Sequence, residues 1–151
     1  MSGISTFYDT LVTTLDTLFG STHTRIPRPR DLAANNEMFL RTAYGLVVED
    51  ATRVDGEFKN FVIERSFTVR FTREIVETES DFSVRDTKVK ELLEDVFTFQ
   101  KDMYNVDRLG IPSTIRILDL APSSGVEDFV TDNKHFVTMS ATITVEIDEV
   151  L

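Results

Sequence analysis

From Phe61 to Ile75 apolar and polar residues alternate along the chain. Phe61, Ile63, Phe67, Val69, Phe71 and Ile75 stand at odd positions, and Glu64, Ser66, Thr68, Arg70, Thr72 and Glu74 at even ones. A period of two is the mark of a strand with one buried and one wet face, which belongs in an antiparallel sheet. We place this strand over residues 58–78. The closing segment repeats the pattern over 135–148, with Val137, Met139, Ala141, Ile143, Val145 and Ile147 odd and Thr138, Ser140, Thr142 and Thr144 even. Residues 61–75 fully extended span about 50 Å at roughly 3.3 Å each. A compact domain of 151 residues is only about 40 Å across. The strand therefore bulges or bends, or it leaves the globule as a β-arm that pairs with a neighbour.

The remaining segments fill in a frame around these strands. Ile4, Phe7, Tyr8, Leu11, Val12, Leu15, Leu18 and Phe19 recur at helical spacing, which predicts a helix over 3–19. That helix lies on the sheet, with the further option that part of its wide stripe touches a second subunit. Residues 20–37 read as a loop, because Pro27 and Pro29 forbid a helix. Residues 38–50 read as a strand with small Ala43 and Gly45 where another backbone comes close, and Asp55-Gly56 reads as a turn. An acidic connector over 79–86 leads to a helix capped by Asp86 and running from Thr87 to Tyr104. Its inward face is Val89, Leu92, Leu93, Val96, Phe99, Gln100 and Met103; Glu91, Glu94 and Asp95 fall outside. Gly110-Ile111-Pro112 precedes a further strand over 113–121, and 126–134 is polar and acidic. The expected fold is one α+β domain over residues 1–151. It has a mainly antiparallel four-stranded sheet with two helices packed on one face, in the order α-β-β-α-β-β, and a long β-hairpin arm.

Composition narrows the chemistry. There is no cysteine, which excludes disulfides, thiolate metal sites and a cysteine nucleophile. The two histidines, His23 and His135, are far apart and read as surface residues. No glycine-rich loop opens a helix and no serine sits in a nucleophile elbow. Carboxylates gather at Glu49, Asp50, Asp55 and Glu57, and again at Asp128, Asp132, Asp148 and Glu149, without the spacing of a calcium loop. They read as solvated turns and charges that protect strand edges. We expect no catalytic residue, no metal and no cofactor. No apolar run is long enough to span a membrane and no secretory leader is read, so the expectation is a protein made in a cytoplasm.

Charge is distributed unevenly. The net charge is −10, which argues against a protein that wraps nucleic acid by neutralising phosphates. From Glu74 to Asp107 ten carboxylates face four basic residues. The concentrated basic run is Arg25-Ile26-Pro27-Arg28-Pro29-Arg30, either a solvated loop or a docking loop for an acidic neighbour. Basic and acidic patches on one body suit head-to-tail association, which closes into a ring when repeated about an axis. The candidate interface residues are Arg25, Arg28, Arg30, Arg70 and Arg73 on the basic side and Glu91, Glu94 and Asp95 on the acidic side.

The layout resembles the tail terminator, or tail completion, proteins of long-tailed bacteriophages. The likeness rests on the opening amphipathic helix over 3–19 and the Pro/Arg loop from Arg25 to Arg30. It rests also on the small-residue strand Ala43-Tyr44-Gly45-Leu46-Val47-Val48, the long alternating strand, the second amphipathic helix, and the closing segment from Phe136 to Ile147. The resemblance implies a homo-oligomeric ring of six copies that caps the tail tube, ends its polymerisation and joins it to the neck or head–tail connector protein. Viral DNA passes through the lumen without sequence-specific binding, and the protein resides in the virion after synthesis in the bacterial host. The alternatives are another tail or neck ring component, such as a tube subunit, an adaptor or a baseplate element, or a small α+β enzyme that uses carboxylates.

Overall fold

A computed structural model describes residues 3–57, 60–76, 82–103, 115–120, 123–131 and 134–150. The elements in chain order are helix α1 (Gly3–Phe19), strand β1 (Thr24–Arg25), single 3-10 turns at Leu32–Ala34 and Glu37–Leu40, strands β2 (Thr42–Glu57) and β3 (Asn60–Ile75), helix α2 (Phe82–Met103), and strands β4 (Ile115–Leu120), β5 (Glu127–Val130) and β6 (His135–Val150). The chain is α+β with two helices, but the sheet is not the expected four-stranded antiparallel one. It has six strands and is mixed, in the order β1-β2-β3-β6-β4, with β5 also on β6. The β1–β2 pair is parallel, Thr24 opposite Ala43 and Arg25 opposite Tyr44. The expected α-β-β-α-β-β order is overturned with it. The two additions are two and four residues long and almost wholly exposed, so neither carries a buried alternation for the sequence to display.

β3 is the spine. It pairs antiparallel with β6 at every position from Asn60↔Val150 to Ile75↔His135, and with β2 on its other edge. β4 and β5 therefore share the outer edge of β6, one toward each end. The irregularity required by strand length falls on β2, where the register shifts between Val48 and Ala51 and again between Ala51 and Arg53. Asp55-Gly56 is not the turn; both residues still pair with β3, opposite Val62 and Phe61. The hairpin arm is thus no free two-stranded ribbon, because β6 runs beside it to the end.

Other boundaries shift for local reasons. Residues 38–40 form a 3-10 turn rather than strand, because the Asn36 side chain caps that turn by accepting from the Met38 N–H at 3.0 Å. α2 begins at Phe82, so Asp86 lies inside it and is not its cap. Tyr104, Asp107 and the Gly110-Ile111-Pro112 signal fall outside the described residues.

Both helices pack on the face of the sheet that carries the odd residues of β3 and β6. Phe7, Leu11, Leu15 and Phe19 of α1 and Leu92, Val96, Phe99 and Met103 of α2 meet Phe67, Val69, Phe71, Met139, Ala141 and Ile143. Within α1, Thr10, Thr14 and Thr17 donate their hydroxyls to the carbonyls four residues back, at 2.8–2.9 Å, so the helix holds its threonines without stranded donors. The opposite face is not wet throughout. The segment from Ile26 to Leu40 folds over one end of it, and Ile26, Leu32 and Leu40 form a second small core with Ala43 and Phe136. Gly45 is required there, since a Cβ would stand 2.6 Å from Pro29 Cβ and 2.8 Å from Ile26 Cγ1.

Candidate functional site

The basic loop is held mainly by its own chain. Asn35 is buried and ties the turn together: its side-chain oxygen accepts from the Arg28 N–H at 3.1 Å and its amide donates to the carbonyls of Arg28, Asp31 and Leu32 at 2.9–3.2 Å. Arg70 reaches from β3 across the open sheet face to donate to Pro29 O at 2.9 Å. Arg30 donates to Val48 O and pairs with Glu49 at 3.7 Å. Arg25 touches the Tyr8 hydroxyl at 3.4 Å. Arg28 is exposed, and no ion pair is made by its side chain among the described residues. Beyond this loop the sheet face is a strip of hydroxyls, in which Ser66 pairs with Thr144 at 2.8 Å and Thr68 with Thr142 at 3.0 Å.

Three of the interface candidates come together within the chain. Arg73 leaves the apolar face of β3 and grips Asp95 of α2 with three contacts at 2.9–3.2 Å, and Glu91 with one at 3.2 Å. Lys88 adds a contact to Glu91 at 3.3 Å. Asp95 was expected on the outer face of the helix; it is only 6% exposed, because Arg73 meets it there. Glu94, one position earlier, stands exposed without a partner among the described residues. His23 joins this cluster and is not a surface residue. Its ring is buried, with Phe19 4.9 Å and Phe71 6.4 Å away by ring centroids, and its Nε2 lies 3.1 Å from Asp95 Oδ1 and 3.2 Å from Arg73 Nη2.

Thr22 Oγ1, 2.8 Å from His23 Nδ1, completes a hydroxyl–imidazole–carboxylate chain. Arg73 already neutralises the carboxylate, and three open pockets among the described residues are lined by other side chains. Among the described residues no cluster of three or more His, Asp or Glu side chains could hold a metal, and no helix is long and apolar enough to cross a membrane. A second polar knot joins α2 to β5 and β6, where Asp128 takes Arg85 and, at 3.3 Å, His135 Nε2. The Arg85 hydrogen bond chiefly holds the Asp128 carboxyl below its usual range; burial works against it, and the His135 hydrogen bond adds to it. Burial first, and the nearby Asp16 second, push the Tyr44 phenol up, while Arg25 pulls it down.

Two apolar surfaces also stand open among the described residues. Where β2, β3 and β6 run past the first turns of α1, no element among the described residues covers the helix-side face of the sheet. A groove of about 580 Å³ opens there between Ile4, Ser5, Tyr8 and Asp9 of α1 and Val48, Phe61, Ile63, Arg65, Phe67 and Ile147 of the strands. Val54, opposite Ile63 in the register and so on the same face, is 62% exposed. A second apolar surface runs along α2. Phe82, Leu93 and Phe97 are 80%, 48% and 59% exposed, although Leu93 was expected to face inward. With half-buried Val89 they fall on one stripe, at steps of seven, four and four residues. The periodicity reading merged the two stripes, placing Val89 and Leu93 with the buried Leu92, Val96, Phe99 and Met103 and leaving out Phe82 and Phe97.

No protein-family model matches the chain, and a search of curated proteins finds no match.

Proposed function

We propose that the chain is a structural ring component of a long-tailed phage virion and acts as its tail terminator. Six copies close into a ring that caps the tail tube, stops tube polymerisation and offers the neck or head–tail connector protein a surface. Viral DNA passes through the channel without sequence-specific contacts. An acidic protein suits that passage, since the net charge of −10 repels phosphate and lets the duplex slide.

The observation that carries this reading is the uncovered apolar face of the β2–β3–β6 ribbon. A sheet face with exposed Val54, Phe61 and Val48 needs a second layer. Among the described residues the helix layer stops at the first turns of α1, and in this reading another copy of the chain supplies the missing layer. The polar clusters support the same conclusion: Arg73, Asp95 and His23 are consumed in joining α2 to the sheet, which leaves them no reacting group to act on.

Negative-stain imaging of the purified protein, alone and with preformed tail tubes, tests the proposal. Six-fold rings of tube diameter that dock once at a tube end are expected. Self-polymerisation into long tubes would make the chain a tube subunit instead, and a chain that stays single both alone and with tubes would overturn the ring reading.

A further inference from the structure

Each unsatisfied apolar surface has the shape of the other's missing partner. The groove is a strip of sheet without a helix over it, and the α2 stripe is a helix face without a sheet beneath it. The strand that lines the groove runs from Phe61 past Ile63 to Arg65, about 13 Å at roughly 3.3 Å per residue, and ends where Phe67 is buried against Phe7 of α1. From Phe82 to Phe97 the stripe measures about 22 Å at 1.5 Å per residue, of which the part from Val89 to Phe97, about 12 Å, matches that length. We propose that the α2 stripe of one copy (Phe82, Val89, Leu93 and Phe97) lies in the β-ribbon groove of the next copy, as the third helix of that copy's helix layer.

The two surfaces belong to different parts of the chain, so the contact is heterologous. Each copy then carries one donor and one acceptor surface, and the association propagates until it closes. Charges at the margins fix the direction. Asp9 stands exposed at the groove, and Lys90 and Lys101 stand exposed beside the stripe, with no ion pair at any of the three among the described residues. Glu94 lies at the margin too and Asp86 lies within the stripe, four residues after Phe82, so these charges orient the contact and apolar burial holds it. This inference rests on the ring reading for its partner, a second copy, and adds which surfaces meet.

The test uses complementary variants of the full chain. One carries Leu93→Lys and Phe97→Asp, which spoils the stripe and keeps the groove. The other carries Val54→Lys and Phe61→Asp, which spoils the groove and keeps the stripe. By sedimentation, each alone is expected to be a monomer of 17.2 kDa with the circular dichroism of the parent, its association weakened by about 30-fold or more. An equimolar mixture is expected to form a two-chain complex and go no further, since only one intact contact remains. Rings that persist in either variant would overturn the inference and leave the ring reading standing. A mixture that does not recover pairing would also overturn it, as would a parent chain that stays monomeric at every concentration.

A second measurement does not depend on those variants folding. The chain is free of cysteine, so Phe97→Cys and Phe61→Cys can be made singly and joined by a short bis-maleimide. Cross-linked dimers from the mixture, and not from either protein alone, are expected. Dimers from each alone, or none from the mixture, would overturn the proposed contact.

Discussion

Removing the Arg73 guanidinium separates two roles that its position allows. Arg73 makes three of its contacts with Asp95 and one with Glu91, and Asp95 is 6% exposed with His23 as its other neighbour. Arg73→Met leaves that carboxylate buried with its main counter-charge gone. Breaking a buried pair in this way costs roughly 3–5 kcal/mol. Arg73 keeps some access to water and His23 remains beside the carboxylate, so the low end applies, about 3 kcal/mol. A domain with a total stability of about 5–15 kcal/mol survives that loss. Asp95→Leu should cost about 2 kcal/mol, since Glu91 still pairs with the stranded arginine. The double variant exchanges the pair for apolar groups and should lose less than the sum, with a coupling of about 2 kcal/mol. Urea unfolding followed by circular dichroism, at concentrations where the protein is monomeric, reads all four states of the cycle. A single-variant loss under about 1 kcal/mol, or strict additivity, would refute the argument that the cluster stabilises the monomer. If the cluster acted between copies instead, the loss would vanish in the monomer and appear only as weakened association.

Three further outcomes follow from the packing. Val69 is fully buried at the centre of β3, so Val69→Asp places an unpaired charge in the core and should abolish cooperative thermal unfolding; a folded variant would show that the buried face is misassigned. Gly45→Val drives a side chain into Pro29 and Ile26 and should cost about 1–3 kcal/mol, with lost hydrogen-exchange protection at the Ile26 amide, which donates to Tyr44 O at 2.9 Å. Burial favours the neutral phenol of Tyr44, so its folded-state pKa lies above the unfolded value near 10.0. The stability it contributes is complete below that unfolded value and is lost as pH rises through the folded one. An alkaline tyrosinate absorbance titration should show one late-ionising phenol that Tyr44→Phe removes; identical titrations would contradict it.

The strands that announced themselves were those whose two faces meet different surroundings. β3 and β6 bury their odd residues under the helices along the inner half of the sheet, and the alternation records that. β1 and β5 did not register because they are short edge pieces held by backbone pairing, to which side-chain pattern contributes almost nothing. The first turn of α2 was hidden for a related reason: Phe82, Ser83 and Asp86 are exposed, and Val84 alone of its apolar residues packs on the core, which is too little to display a stripe. The Arg73–Asp95 cluster left a legible trace that periodicity alone passed over. Arg73 sits at an odd, inward position of β3, and an arginine on the helix-side face of a strand requires an acid on the element above it. Arg65 breaks the pattern in the same way and finds the Glu49 carbonyl at 2.7 Å. His23 left no such trace, since its place depends on how the chain turns after α1.

These contacts change which force an assembly of this chain would draw on. Uneven charge along the sequence pointed to attraction between a basic loop and an acidic helix. In the folded chain, Arg73, Glu91 and Asp95 bind one another, Arg30 and Arg70 hold the loop to the sheet, and Arg25 leans on Tyr8. Of the eight candidates, Arg28 and Glu94 remain exposed with no partner for their side chains among the described residues. Exposed pairs between such groups contribute at most about 1 kcal/mol and weaken with salt. The groove and the α2 stripe instead hold several large apolar side chains, each contributing about 1.5–3 kcal/mol on full burial. Affinity between copies would therefore come from the apolar surfaces, with the remaining charges choosing the orientation in which they meet.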